Sequence, residues 1–233
     1  MSELRFGLTA EAPCSYLPEQ QEQLVFLLPD QPINAQLYQQ LMQLNFRRSA
    51  DQVYTPYCQS CRACQSVRIA PENFRPNAGQ RRILNKARRN NWRAVLTSPQ
   101  KHDYFQLFSD YICHKHADGS MFPPDPQQLG SMLNCSWLNV RVLELYYQQK
   151  LAAVCIVDET EQAFSAVYTF YSPELSRFSP GILAILFLLE NAASHRKNWL
   201  YLGYQIANCN KMAYKADFLP QQRFIDGNWH SFG

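Results

Sequence analysis

The 233-residue chain lacks an apolar run long enough to cross a bilayer: the longest, Ile182 to Leu189, falls well short of the ~20 residues a spanning helix needs. Its first segment, Met1-Ser2-Glu3-Leu4-Arg5-Phe6, does not set a basic stretch before an apolar one, so no secretory leader is expected and the chain reads as cytoplasmic. Internal repeats and low-complexity tracts are missing too, beyond mild glutamine enrichment around Gln20 and Gln39, which argues against a solenoid or a linker. With 46% hydrophobic and 18% charged residues, the chain is too apolar and too weakly charged to stay disordered. Eight cysteines without a leader do not make a disulfide framework, because cytosolic thiols are kept reduced; buried thiols, metal ligands or reactive groups remain.

One local absence carries more information. The net charge of +3 is not spread evenly: from Arg75 to Arg93 there is no acidic residue but seven basic ones, Arg75, Arg81, Arg82, Lys86, Arg88, Arg89 and Arg93. A solvated face is the bland explanation of such a run, yet the complete lack of acids favours a phosphate-binding surface.

Leu37, Leu41 and Leu44 recur at helical spacing and predict a helix over 36–45. A cysteine-rich loop then leads into a strand, Ser66 to Ala70, and the basic segment after Pro76 carries Ile83, Leu84 and Ala87 as the apolar stripe of a second helix. Another helix is predicted over 101–117, with Tyr104, Phe105, Phe108, Tyr111 and Ile112 inward. Further on, Val140 to Tyr147 and Leu151 to Val157 read as a hairpin, followed by a strand from Phe164 to Tyr171. Ser179-Pro180-Gly181 opens an apolar helix over 182–196, and Trp199 to Tyr204 makes the returning strand. Strand, crossover helix and parallel strand imply an α/β (α+β) fold, with a first domain over 1–96 and a second over 97–233.

Several stretches carry a resemblance. Val167-Tyr168-Thr169-Phe170-Tyr171-Ser172-Pro173, Tyr201-Leu202-Gly203-Tyr204 and Lys211-Met212-Ala213-Tyr214-Lys215-Ala216-Asp217-Phe218 closely resemble the arginyl-tRNA:protein transferase family. Cys14-Ser15-Tyr16-Leu17-Pro18, Phe46-Arg47-Arg48-Ser49, the run from Cys58 to Phe74 and His116-Ala117-Asp118-Gly119-Ser120-Met121 agree with its bacterial branch, the aspartate/glutamate leucyltransferases. The resemblance implies two halves similar to GNAT acyltransferase folds packed together. It also implies leucyl-tRNA as donor, proteins beginning with Asp or Glu as acceptors, and an N-degron adaptor and protease downstream. The family usually has Ser-Leu-Gly-Thr where this chain has Ser179-Pro180-Gly181-Ile182; Ser179 and Gly181 are kept as donor-contacting candidates.

The ester that links an amino acid to tRNA is already activated, so an enzyme of this kind needs positioning rather than a cofactor, worth up to about 7–11 kcal/mol. Tyr168, Tyr204 and Tyr214 are the candidate catalytic groups, with Tyr171 beside them, although core tyrosine is the plainer reading of any single one. Arg75, Arg81, Arg82, Lys211 and Lys215 are the candidate cations for an acidic acceptor or for tRNA phosphates. Lys211 and Lys215, four apart, would share one face of a helix. Cys58, Cys61 and Cys64 form Cys-x-x-Cys-x-x-Cys, and Cys14 is the candidate fourth ligand of a structural zinc or iron–sulfur site; plain buried thiols weigh equally.

Three alternatives stay open: an arginyl donor, an acyl-CoA-dependent GNAT acetyltransferase, and a zinc-ribbon-like RNA-binding module. The acetyltransferase is disfavoured because only Arg177 and Gly181 would serve a pyrophosphate loop, where Pro180 removes an amide donor. The RNA module leaves the tyrosine-rich second half unexplained.

Overall fold

A computed structural model of the protein describes residues 4–99, 104–119 and 121–233. In chain order the strands and helices are β1 (Phe6–Leu8), β2 (Ala12–Pro13), β3 (Gln21–Glu22), β4 (Leu24–Leu27), α1 (Ala35–Gln43), β5 (Arg47–Ser49), β6 (Gln52–Pro56), β7 (Gln65–Ile69), α2 (Ala78–Arg89), β8 (Trp92–Thr97), α3 (Phe105–Lys115), α4 (Pro126–Leu133), β9 (Asn139–Tyr147), β10 (Lys150–Glu159), β11 (Ala163–Tyr171), α5 (Pro180–Ser194), β12 (Trp199–Gln205), α6 (Asn210–Ala213), β13 (Gln221–Ile225) and β14 (Asn228–Phe232). The helix expected over 101–117 is α3; residues 101–103 lie outside the described ones.

An eight-stranded sheet in the order β14-β13-β7-β12-β11-β10-β9-β8 forms the body, and β1-β4-β6-β5 make a smaller one. The mixed α/β character expected from the sequence is what the chain adopts. The composition-based boundary at residue 96 falls at the end of β8, which pairs with β9, while β7, also from the first 96 residues, lies between β13 and β12 inside the large sheet.

β10 shows why a continuous apolar run is needed at the centre. Ala153, Cys155 and Val157 pack into the cluster formed with α2 and α5, whereas Val154 and Ile156 pack on the other side with Phe108, Ile112 and Leu129 of α3 and α4. Side chains alternate between the faces of a strand, so a strand covered on both must be apolar at every position. α5 is buried on most of its circumference for the same reason. The β9–β10 turn puts Gln148 and Gln149 at φ 49° and 68°, the backbone that matches hairpin twist even without the usual Asn-Gly.

The pairing that shapes the site is the parallel one between β11 and β12. It lasts only from Ala163↔Trp199 to Ser165↔Tyr201. Beyond it β11 stays with β10 as far as Tyr171, while β12 pairs with β7 up to Gln205. The two strands part at their carboxyl ends, and the irregularity between Tyr201 and Gly203 places Gly203 at φ +77°, a backbone that glycine adopts at no steric cost.

Candidate functional site

Where β11 and β12 separate, the segment following β12 fills the gap. α6 tightens after Ala213 into a 3₁₀ turn, Tyr214–Asp217, and this turn faces two ways. Tyr214 lies toward Cys155 and Tyr171; burial first, then those neighbours, pushes its phenol up to about 12. Lys215 points the opposite way, to β12, and its Nζ donates to the Tyr204 carbonyl at 2.8 Å.

The tyrosine side of this gap is built on β11 and α3. Tyr111 packs against Tyr171 at 4.8 Å between ring centroids and against Tyr168 at 6.4 Å. The Tyr168 hydroxyl is buried with no hydrogen-bond partner among the described residues, and burial raises its pKa. The start of α5 abuts the same place, because a Cβ on Gly181 would sit 3.8 Å from the Tyr171 ring. Ser179 holds φ 53°, ψ 56° ahead of Pro180, which occupies the first turn where its missing N–H costs nothing. Tyr204 differs from the other two candidate tyrosines: its hydroxyl is committed to the Asn45 carbonyl at 2.8 Å.

Lys211 and Lys215 do not share an environment, contrary to what an unbroken helix implies. Lys211 is exposed and reaches Asp118 at 3.5 Å, whereas Lys215 is only 7% exposed. The tightening after Ala213 turns Lys215 inward. Burial first, then the charge of Arg47, brings its pKa down to about 8.

Sequence reasoning overlooked Arg47. It was visible only as part of the Arg47-Arg48 pair, and nothing in the spacing distinguished it from a surface cation. In the fold it is 6% exposed and stacks 4.8 Å above the Tyr201 ring and 5.8 Å from that of Tyr204. Its Nη1 donates to the Phe46 and Met42 carbonyls, but Nε and Nη2 have no partner among the described residues.

Arg75, Arg81, Arg82, Lys86, Arg88, Arg89 and Arg93 are all exposed, and Leu84 and Ala87 form the buried stripe of α2. Asn77 and Gln80 close a capping box at its start, each bond 2.9 Å, and the Gln80 amide also donates to the Asp217 carbonyl at 3.1 Å. The helix that carries the positive surface is thereby tied to the turn bearing Tyr214 and Lys215. Arg75 and Arg81 bond only carbonyls of their own segment, leaving charge for an outside partner.

The fold brings Cys14 to the Cys58–Cys64 loop: all of Cys58, Cys14 and Cys61 act, after burial, to push the Cys64 thiol up to about 12. Four thiols suit zinc or an iron–sulfur cluster. Their orientation does not: Cys14 Sγ accepts from the Tyr16 amide at 3.5 Å, Cys58 Sγ faces the Gln23 carbonyl at 3.9 Å, and among the described residues no three Cys, His, Asp or Glu side chains group to hold a metal ion. Beside this loop lies a cavity of about 380 Å³ lined by Asn45, Thr55, Cys58, Cys61, Cys64 and the β13–β14 turn.

Among the described residues no helix is long and apolar enough to cross a membrane. Known proteins resemble the whole chain. The aspartate/glutamate leucyltransferase of Pseudoalteromonas atlantica is 42% identical over 97% of this chain and 96% of its own length. That of Aeromonas hydrophila is 41% identical over 97% and 94%, and that of Vibrio cholerae 38% over 98% and 97%. Among solved structures, L-PGS from Bacillus licheniformis is similar at a TM-score of 0.49 with 14% identity, over 62% of this chain and 46% of that one. Residues 12–82 match the family described as arginine-tRNA-protein transferase, N terminus, and residues 103–225 match its C terminus. The chain belongs to the arginine-tRNA-protein transferase family, and it is an enzyme of the transferase class.

Proposed function

We propose that the protein transfers leucine from leucyl-tRNA to the N-terminal amine of proteins that begin with Asp or Glu, tagging them for an N-degron adaptor and protease. The observation that carries this reading is the near-complete coverage, at about 40% identity, by relatives named aspartate/glutamate leucyltransferase. In the reaction the acceptor nitrogen attacks the ester carbonyl, a C–N amide bond forms and the C–O bond to the terminal ribose breaks. The ammonium proton leaves, and the ribose oxygen takes one up. No redox partner is needed. The acceptor amine, with a pKa of about 7.7–8.0, is already partly neutral at pH 7, so orientation of amine and ester supplies most of the acceleration.

In this reading the exposed face of α2, with Arg75, Arg81 and Arg82, holds tRNA phosphates, and Lys211 extends that surface. The aminoacyl end enters the cleft between β11 and β12, where Tyr168 and Tyr214 orient the ester and the Ser179–Gly181 turn closes one side. Burial of Lys215 removes it from the phosphates, and the bond from Tyr204 to Asn45 gives that phenol a scaffold role. Transfer of labelled leucine or arginine from charged tRNA onto peptides differing only in residue one tests the reading. Leucine onto Asp and Glu peptides is the expected product; arginine transfer, or no transfer, overturns it.

A further inference from the structure

Buried charge is costly unless it is paired, and an isolated cation in the interior is retained only where something compensates it. Four cations are buried among the described residues: Arg47, Arg48, Lys197 and Lys215. Two are neutralised, Lys197 by Glu159 at 3.2 Å and Arg48 by Asp158. Arg48 Nε donates to Asp158 at 2.7 Å, and Tyr38 donates to the second oxygen of the same carboxylate at 3.0 Å, so Asp158 is fully engaged. Neither Arg47 nor Lys215 makes an ion pair among the described residues.

We propose that Arg47, with Lys215 beside it, receives the side-chain carboxylate of the acceptor's first residue and thereby sets the preference for Asp and Glu. The inference rests on the leucyl-transfer reading and adds the group that recognises the acceptor. The unbonded Nε and Nη2 of Arg47 form the pair of parallel donors that a guanidinium presents to a carboxylate. Its plane is held by Tyr201 and Tyr204, so little freedom is lost when the anion docks. The cavity of about 380 Å³ is lined by Asn45, Thr55 and Cys64 and not by Arg47 or Lys215, so the carboxylate reaches the buried guanidinium by displacing this wall: Asn45 accepts from the Tyr204 hydroxyl, and Thr55 follows Tyr54, the ladder partner of Arg47. Its size suits one or two residues of an extended chain end. Lys215 and Tyr214 are consecutive, so a first residue held on the Lys215 side lies one residue's width from the tyrosine side, where the ester is proposed to sit.

The test compares peptides beginning with Asp and with the isosteric Asn, on wild type, Arg47→Met and Arg47→Lys. Arg47→Met is expected to lower kcat/KM for the Asp peptide by roughly a hundredfold, mainly through KM, while transfer to the Asn peptide and affinity for leucyl-tRNA stay unchanged. Arg47→Lys, which keeps the charge without the fork, retains part of the preference. Because Met removes an unpaired buried charge, the variant should melt no lower than wild type. An unchanged Asp-to-Asn ratio in a folded Arg47→Met variant overturns the assignment. So does equal loss on both peptides together with a lowered melting temperature, which marks a structural arginine. If wild type itself transfers no leucine, the functional reading fails; calorimetric titration of the two peptides without tRNA still tests Arg47, since wild type but not Arg47→Met should prefer the Asp peptide.

Discussion

Arg47 and Arg48 are consecutive in β5 and equally buried, yet Arg48 forms a closed ion pair with Asp158 at 2.7 Å while Arg47 lies over Tyr201 with two donors unbonded. Alternation along the strand sends them to opposite faces. One face meets Asp158 of β10 and joins the small sheet to the large one. The other meets the end of β12 and the turn that carries the family's Tyr-Lys pair. A single dipeptide thus supplies one residue that holds the two sheets together and one whose donors have no partner among the described residues.

The Arg48–Asp158 pair should behave as a structural element. Asp158→Asn or Arg48→Met leaves an uncompensated buried charge or donor set and should cost about 3–5 kcal/mol. Denaturant unfolding would read this as a lowered midpoint at an unchanged slope. Arg47→Met, one residue away, should show no such loss.

Arg81 and Arg82 are exposed near the start of α2 and should act on tRNA through phosphates. Changing both to Glu is expected to weaken leucyl-tRNA binding far more at low than at high salt. The slope of log affinity against log salt should fall by about two, near one per lost phosphate contact. Filter binding across a salt series would measure it; a parallel line for the double variant would show α2 to be merely solvated.

The three tyrosines should separate. Tyr168→Phe and Tyr214→Phe are each expected to lower kcat by roughly a hundredfold with little change in KM for leucyl-tRNA, as for groups that act on the reacting ester. Tyr204→Phe loses its bond to Asn45 and should cost about 1 kcal/mol of stability with kcat nearly intact. Single-turnover kinetics alongside thermal melts would distinguish these outcomes.

Most of the large sheet was legible because its residues obey one period at a time. The hairpin at Gln148-Gln149, the strand from Phe164 and the helix after Pro180 each carry an unbroken apolar pattern. The small sheet was not legible, since β1, β4 and β5 are three or four residues long, too short for alternation to register. The β13–β14 hairpin was missed for a related reason: Gln221, Gln222 and Arg223 are polar, and Asp226-Gly227 is the one strong turn signal there. At the site, tRNA-facing arginines could be found by the lack of acids around them. Burial of Arg47 could not be found, because it depends on β12 and the 3₁₀ turn arriving from more than 150 residues away. The inward turn of Lys215 escaped likewise, since helical spacing does not reveal where a helix tightens.

Lys215 is held near 8, below the usual lysine value, by burial and by Arg47; the thiols of Cys209 and Cys64 oppose the shift. Its charge therefore costs stability below about pH 8, and that cost disappears as pH rises toward the unfolded value of 10.5. A carboxylate docked beside Arg47 reverses the balance by favouring the charged lysine, so above pH 8 binding of an acidic first residue must draw in a proton. Burial keeps the Tyr204 phenol neutral, as it does the Cys64 thiol. The acceptor amine also titrates near 8, but it does so in Asp and Asn peptides alike and largely cancels in their ratio. The ratio of kcat/KM for Asp over Asn peptides should therefore be flat below pH 8 and fall above it, by at most tenfold per pH unit. Lys215→Met should begin with a smaller ratio and lose the pH dependence. A wild-type ratio that stays level through pH 8 and well beyond would show that Lys215 does not sense the acceptor's carboxylate.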